Sequence, residues 1–253
     1  MKVISLNVWG GRGGIVPLLD FFRRYADTDV FCLQEIWNGG EEMIGKIAGG
    51  VPLLGIETRL LEQIRSVLPA HRAYFRPCFR DYYGLLVLVR EAVPVLEESE
   101  AYIYESRGFV AEWDAGDHAR NLQWVTLDLP SGACAIYNVH GLWNGKGKGD
   151  SDARMRQSDA IVSVLAQSGC PYILAGDLNL LPDTESMRKL ELSGLRNLIT
   201  ENGILSTRTS FHTKADKFAD YMLVSDGIDV KEFKVLPDEV SDHAPLYLEF
   251  ELS

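Results

Sequence analysis

Cysteine is scarce in this sequence, and its few copies are far apart. Cys32, Cys78, Cys134 and Cys170 are the only four in 253 residues, with no CxxC pair and no histidine at zinc-ligand spacing. Structural zinc sites and disulfide frameworks depend on regularly spaced cysteines. The sequence therefore predicts neither, and we expect the four thiols to lie in a hydrophobic core.

Positive charge and long apolar runs are also lacking. The formal net charge is −11, which disfavours a surface that holds nucleic acid through overall charge. A few local Arg and Lys residues or a bound divalent cation can still reverse the field at one site. No apolar run reaches membrane-spanning length, and the N-terminal MKVISLNVWG begins as a strand rather than as a secretion signal. These absences favour a soluble, cytoplasmic, monomeric protein without membrane insertion.

Short apolar, β-branched runs are what the sequence does contain. Each ends near Gly, Pro, Asn or Asp, which is typical of strands. The predicted strands are 3–6, 30–33, 85–89, 125–129, 133–139, 172–175, 221–224 and 246–250. Apolar residues at helical spacing predict helices over 16–25, 58–68 and 153–166.

No shift in composition resembles a linker, so we expect one domain over 1–253. Many strands with fewer helices favour a layered α/β fold that has sheets inside and helices outside. Two irregular loops, 106–120 and 142–152, are expected to carry function, because catalytic and binding residues concentrate on loops.

Polar residues stand at the ends of most predicted strands. They are Asn7, Gln34, Glu35, Asn138, His140, Asp177, Asn179, Asp220, Asp242 and His243. Any one of them alone is an ordinary turn cap or solvated strand end. Together they supply the carboxylates, amides and imidazoles of a hydrolytic site around a hard divalent metal ion.

The segment YILAGDLNLLP, residues 172–182, illustrates the choice. Asp177 and Asn179 point to the same side if the chain stays extended, so both could reach one ligand. The alternative interpretation of GDLN, residues 176–179, is an Asx-type turn that follows a buried strand.

Seven blocks resemble the endonuclease/exonuclease/phosphatase superfamily in order and spacing. They are LNVWG, LQEIW, YGLLVLVR, YNVHGLW, LAGDLN, FADYMLVS and VSDHAPLYLEF. The resemblance runs from residue 3 to about residue 250 and is to a small, bacterial-type member. It implies the DNase I-like fold: a four-layer α/β sandwich in which helices flank two packed mixed β-sheets.

The resemblance also implies a metal-dependent site. Asn7, Glu35 and Asp242 match the positions that hold the metal, expected to be Mg²⁺ or Mn²⁺ because the ligands are oxygen atoms. The matched catalytic residues are His140, Asp177, Asn179, Asp220 and His243. Asp177 and Asn179 would orient water and phosphate, Asp220 would orient His243, and His140 would stabilise the transition state.

One position departs from the exonuclease III branch of the superfamily. That branch has an acidic residue two positions after the Asn of the first block, where this sequence has Trp9. The difference weakens the interpretation as an abasic-site endonuclease.

Four further residues are candidates for substrate binding. Arg80 belongs to HRAYFRPCFRDYYG, 71–84, which predicts either a surface that stacks nucleotides or a strand with aromatic residues inward. Asn121 precedes a strand, and Lys146 and Lys148 lie in a glycine-rich loop that either contacts phosphate or is simply solvated.

The predicted function is divalent-metal-dependent hydrolysis of a phosphodiester by in-line attack of water. The phosphate-ester substrate could be a nucleic acid or a nucleotide. A phosphomonoesterase acting on a sugar or inositol phosphate would use the same residues. A binding module for a phosphate ligand on the same fold is the non-enzymatic alternative.

Overall fold

Strands dominate the chain. In the computed structural model, residues 1–48, 51–112 and 114–253 are described, and they form sixteen strands and five α-helices. The strands are β1 Lys2–Asn7, β2 Val30–Trp37, β3 Ile47–Ala48, β4 Val51–Pro52, β5 His71–Phe79, β6 Tyr83–Arg90, β7 Val95–Tyr104, β8 Val110–Ala111, β9 Asp114–His118, β10 Arg120–Leu129, β11 Gly132–His140, β12 Tyr172–Asp177, β13 Arg196–Asn197, β14 Asp220–Val224, β15 Ile228–Val235 and β16 Leu246–Leu252. The helices are α1 Ile15–Arg24, α2 Leu60–Val67, α3 Asp152–Leu165, α4 Glu185–Leu192 and α5 Leu198–Glu201.

Two mixed six-stranded sheets form the two inner layers. The first sheet has the order β15-β16-β1-β2-β6-β5, and the second has the order β13-β14-β12-β11-β10-β7. Each contains one parallel pair at its centre, β1 with β2 and β11 with β12. The implied four-layer α/β sandwich is therefore confirmed.

Strand alternation in the first sheet separates two apolar clusters. Val3, Val30 and Val87 face the second sheet, while Ile4, Phe31 and Leu86 face α1 and α2. Because successive side chains point to opposite faces, a strand buried on both sides reads as a continuous apolar run. Such runs made the central strands predictable.

The helices cover the outer faces of the sheets. Helix α1 buries Leu18, Phe21 and Phe22 at the spacing of one helical face. Ser151 caps α3 by accepting a hydrogen bond from the backbone N–H of Arg154, and Thr184 caps α4 in the same way. None of the described helices is long and apolar enough to cross a bilayer.

Edge elements are where the sequence predictions fell short. Strands β7 and β15 were not predicted, because glutamate and lysine interrupt their apolar pattern. Both lie at sheet edges, where charged side chains prevent pairing with other chains. The loop expected over 106–120 contains the short hairpin of β8 and β9. Helices α4 and α5 were also not predicted.

The stretch 71–84 forms strands β5 and β6 with the turn between them. The strand is therefore confirmed, but two aromatic residues of the stretch, Phe79 and Tyr83, line the pocket of the candidate active site. Arg76 forms an ion pair with Glu98 on β7 of the other sheet. All four cysteines are free thiols, and Cys32, Cys78 and Cys134 are buried, as expected for core residues.

Candidate active site

Three neighbouring strands of the second sheet align the first part of the site. In the parallel pair β11/β12, His140 stands opposite Asp177, and in the antiparallel pair β12/β14, Asp177 stands opposite Asp220. The three side chains therefore lie in one row at the same end of the sheet. All three residues are buried.

Asp177 both forms an Asx-type turn and places a carboxylate at the site, so the two interpretations of the GDLN segment hold together. Its Oδ1 accepts a hydrogen bond from the backbone N–H of Asn179 at 2.9 Å, which closes an Asx-type turn. Its Oδ2 accepts from Nδ2 of Asn7, on the other sheet, at 3.0 Å. Asn179 takes a left-handed conformation with φ of 52° and donates to the carbonyl of Gly141.

Burial alone would raise the pKa of Asp177. The basic side chains of His243, His140, Arg208 and Lys148 outweigh that effect and hold its pKa below the ordinary value. Asp177 is therefore a carboxylate throughout the neutral range, despite its burial.

Glu35 reaches the site through an irregularity in β2. The register of β2 with β6 shifts between Leu33 and Ile36, and Glu35 inside this bulge has φ of 60°. A bulge re-aims a side chain relative to the regular pleat. Glu35 accepts a hydrogen bond from Nδ2 of Asn7 at 3.1 Å. Desolvation raises the pKa of Glu35 above its ordinary value, and the neighbouring Asp242 adds to this effect. Arg12 and His243 lower the pKa, but they do not offset the increase.

His243 and Asp220 form a hydrogen-bonded pair. Nδ1 of His243 lies 2.8 Å from both oxygens of Asp220. Burial opposes protonation of this ring, but Asp220 and the other nearby carboxylates prevail and raise the pKa of His243. Ser241 fixes the segment, because its hydroxyl donates to the carbonyl of Asn7 and accepts from the N–H of His243.

Asp242 has one oxygen bound and one free of hydrogen bonds. Nη1 of Arg208 donates to its Oδ2 at 3.1 Å, and His212 Nδ1 lies 3.6 Å from the same oxygen. Its Oδ1 is buried without a hydrogen-bond partner among the described residues, 3.6 Å from Nε2 of His243.

His140 contacts a guanidinium rather than a carboxylate. Nη1 of Arg120 lies 3.3 Å from its Nδ1, and its Nε2 lies 3.7 Å from Oδ2 of Asp177. Burial and the Arg120 charge lower the pKa of His140 to about 3.

These groups open into one pocket of about 660 Å³. Glu35, His140, Asp177, Asn179, Asp242 and His243 all line it. Lys148 lines it too; its Nζ forms an ion pair with Asp216 at 2.7 Å and donates to the carbonyl of Phe218.

The structure places the other three substrate-binding candidates away from this pocket. Arg80 is exposed and pairs with Glu42. Asn121 is buried between the sheets, where it donates to the carbonyl of Arg76 and to Glu100. Lys146 is on the exposed part of its loop. None of the three is among the described residues that line the pocket.

Several pocket residues were missed by the sequence analysis. Arg12, Arg208, His212, Trp143 and Phe211 lie in loops that carry no periodic pattern. Arg208 and His243 form an isolated β-bridge, which brings the loop 206–218 to the site. Long-range pairing places Arg208 at the site, and one sequence does not show such pairing.

Comparison with known proteins places this arrangement in a family. The model of the endonuclease/exonuclease/phosphatase family matches residues 4–243. The chain belongs to this family. Membership makes it an enzyme that hydrolyses phosphoric esters.

Solved structures share the fold over the full length of the chain. A mannosyl-6-phosphatase from Bacteroides thetaiotaomicron has 18% identity and a TM-score of 0.74, with 100% of both chains covered. A protein of unknown function from Enterococcus faecalis has 18% identity and a TM-score of 0.75, again with 100% of both chains covered. ANGEL2, a 2′,3′-cyclic phosphatase, has 15% identity and a TM-score of 0.69 over 99% of this chain and 95% of its own. No curated protein matches the sequence.

Proposed function

We propose that this enzyme hydrolyses a phosphodiester of a small molecule, with a divalent cation, Mg²⁺ or Mn²⁺, at Glu35 and Asp242. Water attacks phosphorus in line with the leaving group. The observation that carries the proposal is the convergence of Glu35, Asp242, Asp177 and the His243–Asp220 pair in one pocket.

The donor set fits a hard cation. Glu35 is a half-buried carboxylate whose pKa is raised by desolvation first, with Asp242 adding to the effect, and Oδ1 of Asp242 is buried without a hydrogen-bond partner among the described residues. Two partly desolvated carboxylates that repel each other would be stabilised by a cation that both bind. When bound, the cation would polarise the phosphate and neutralise charge that develops on it.

Asn7 stands between the carboxylates rather than presenting its oxygen to the pocket. Its Nδ2 donates to Glu35 and Asp177, and its Oδ1 accepts from the N–H of Trp9. Asn7 therefore fixes the positions of the two acidic side chains. Asp177, Asp220 and His243 also offer ligand atoms within 4.8 Å of one another, but the short bonds between His243 and Asp220 favour a proton-handling pair.

The side chains divide the proton chemistry between them. Nε2 of His243 takes the proton of the attacking water, while Asp220 holds Nδ1 and stabilises the imidazolium that forms. Asp177 and Asn179 orient the water, Arg208 and Lys148 compensate the negative charge of the phosphate, and His140 donates a hydrogen bond to it from the pocket wall.

The shape of the pocket supports a small substrate. Its volume of about 660 Å³ lies within the range of about 300–1,000 Å³ that is usual for sites of small molecules. Met43, Pro52, Leu53 and Leu54, and the loop with Phe211, bound the pocket. These walls favour a compact ester such as a nucleotide over duplex nucleic acid.

The contribution of both sheets to the wall of the pocket favours a diester. Trp37, the last residue of β2, and Leu53 line the pocket from the part of the chain that builds the first sheet, whereas Trp143 and Lys214 line it from loops of the second sheet. A diester carries two substituents on phosphorus, and residues from the two sheets are available to contact them.

The apolar wall predicts the character of the substituent. Trp9 takes φ of 52° and, together with Phe211, whose ring centroid is 6.4 Å away, lines the pocket. Phe211 remains 42% exposed. Aromatic side chains at a phosphate site favour a planar apolar group on the substrate, because such groups stack on them.

A comparison of three substrates tests the proposal. We expect bis-p-nitrophenyl phosphate to be hydrolysed faster than p-nitrophenyl phosphate, and both faster than a sugar monophosphate. Preference for the sugar monophosphate would reject both proposals, that the substrate is a diester and that it carries an apolar substituent. Preference for p-nitrophenyl phosphate would reject only the diester.

A variant tests the wall separately. Phe211→Ala should raise KM for the aryl diester roughly tenfold, which corresponds to about 1.4 kcal/mol, with little change in kcat. Leu205→Ala, exposed and outside the pocket lining, is the matched control. An unchanged KM in Phe211→Ala would remove Phe211 from substrate binding.

A further inference from the structure

Arg120 is a buried cation whose neighbours are unusual. It begins β10, is 2% exposed, and uses Nη2 to donate to the carbonyl of Gly116 at 3.2 Å. Its Nη1 lies 3.3 Å from Nδ1 of His140. No carboxylate in the described part of the chain forms an ion pair with it. A charge that is costly to bury thus has one of its N–H groups at an imidazole nitrogen, in a guanidinium that also lines the pocket.

The chemistry of the guanidinium decides which nitrogen of His140 carries the proton. A guanidinium has only N–H donors and stays protonated in proteins. Nδ1 of His140 must therefore accept, so its lone pair points to Arg120 and the ring proton sits on Nε2. The strongly lowered pKa of His140 agrees, because a second proton would place two cations in contact.

The Nε2–H of His140 points towards the reaction centre. Nε2 lies 3.7 Å from Oδ2 of Asp177, which is too far for a direct hydrogen bond, and the ring lines the pocket. The N–H is therefore available to an oxygen of the substrate.

His243 has the opposite arrangement. Its Nδ1 is held by the carboxylate of Asp220, an acceptor, so the proton sits on Nδ1 and Nε2 carries the lone pair when the ring is neutral. Both rings present Nε2 to the same oxygen of Asp177, each at 3.7 Å. Partners of opposite charge thus give the two histidines opposite tautomers.

We infer that Arg120 is a positioning residue that fixes His140 as a neutral Nε2–H donor, so that His140 presents this N–H to a phosphoryl oxygen. The role of this N–H in phosphate binding rests on the proposed function. The tautomer itself does not, because it follows from Arg120 and His140 only.

The tautomer is measured directly by NMR. Long-range ¹H–¹⁵N correlation spectra of the full chain, labelled with ¹⁵N-histidine and free of substrate, distinguish Nδ1–H from Nε2–H rings. The chain has five histidines, and the signals that vanish in His140→Gln identify His140. We expect the Nε2–H pattern for His140 at pH 7.5. An Nδ1–H pattern, or an imidazolium pattern, would overturn the inference.

Two variants test whether Arg120 is the cause. Arg120→Met removes the donor and should populate both tautomers of His140, whereas Arg120→Lys retains a cationic donor and should restore the Nε2–H pattern. An unchanged pattern in a folded Arg120→Met would assign the tautomer to another partner and reject Arg120. If Arg120→Met does not fold, the spectra of the wild type and Arg120→Lys decide.

This experiment separates the inference from the proposed function. A wild type that shows the Nε2–H pattern but hydrolyses no phosphoester would reject the function and leave the tautomer in place. A wild type that hydrolyses phosphoesters but shows the Nδ1–H pattern for His140 would support the function and reject the inference.

Discussion

At the scale of single residues, Asp177 shows how a turn and a reaction centre share one side chain. One oxygen closes the turn to Asn179, and the other accepts from Asn7 across the two sheets. The structural and functional readings of GDLN are therefore compatible. The turn holds the carboxylate rigidly, and rigid positioning is what a catalytic group requires.

Asp177→Asn should lower kcat by about a thousandfold or more, because an amide lacks the charge that orients water and balances the neighbouring histidines. The thermal midpoint should fall by a few degrees, because the amide keeps an oxygen for the turn but its NH₂ replaces the acceptor of Asn7 Nδ2. Steady-state kinetics beside a melting curve measures both. Asp183→Asn, an exposed carboxylate on the following loop, is the control. Near-wild-type kcat in Asp177→Asn would contradict the assigned role.

His71 gives a prediction about pH that does not involve the active site. It is buried, its Nε2 lies 2.8 Å from the carbonyl of Thr28, and burial lowers its pKa below 6.5. The unfolded chain therefore takes up a proton near pH 6.5 that the folded chain does not. Stability is retained above that pH and falls as the pH drops below it, by at most about 1.4 kcal/mol per pH unit for one group.

His71→Gln removes this titration while keeping a donor for Thr28. We expect its free energy of unfolding to fall less than that of the wild type between pH 7 and pH 5. Urea unfolding at the two pH values measures the difference. Equal losses in both proteins would show that His71 is not responsible.

At the scale of secondary structure, the parallel pair β11/β12 depends on Gly176. Its φ is +141°, and a Cβ added there would lie 2.1 Å from the carbonyl oxygen of Val139 on the neighbouring strand. Gly176 thus allows the two strands to stay in register immediately before Asp177.

Gly176→Ala should destabilise the fold by at least about 3 kcal/mol through this clash and the strained φ. Gly169→Ala, where the added Cβ meets nothing within 4 Å, is the matched control. Thermal unfolding of both variants is the measurement. A Gly176→Ala melting point within the error of the wild type would contradict the packing described for these strands.

Helix α3 holds the pocket loop through a buried arginine. Arg154 donates to the carbonyls of Gly147 and Gly149, and Nη2 lies 3.5 Å from the carbonyl of Leu142. The same loop carries Trp143 and Lys148 into the pocket. A helix that is predictable from its periodicity therefore orders a loop that is not.

Arg154→Met should loosen this loop without unfolding the helix. We expect faster cleavage by trypsin within 142–152 and a several-fold higher KM, with a stability loss of about 1–3 kcal/mol for the carbonyls left without donors. Limited proteolysis with mass spectrometry locates the cleavage. Protection equal to that of the wild type would show that other contacts hold the loop.

At the scale of the whole molecule, the sequence predicted the centre of the fold better than its edges. Strands such as β1 and β12 are buried on both faces, so their apolar runs stand out. In the edge strands β7 and β15, charged residues interrupt the apolar ones. These segments become strands by pairing with neighbours that are distant in the sequence.

The site divides in the same way. Residues at the ends of central strands, such as His140 and Asp177, were predictable by position and by resemblance. Arg208 and Phe211 were not, because their loop is placed by contacts with Asp242 and Ser241 that no local pattern encodes. Asn121 was predicted from the sequence to bind the substrate. In the structure its amide donates hydrogen bonds to residues of both sheets.

The dependence of aryl diester hydrolysis on Mg²⁺ tests the account most directly. We predict that the wild-type rate rises to saturation with Mg²⁺ and falls to background with EDTA. Glu35→Gln should need at least about tenfold more Mg²⁺ and turn over far more slowly, while Glu62→Gln, an exposed carboxylate on α2, should behave as the wild type. Hydrolysis that resists EDTA, or a Glu35→Gln enzyme with wild-type Mg²⁺ dependence, would contradict the cation site and the mechanism built on it.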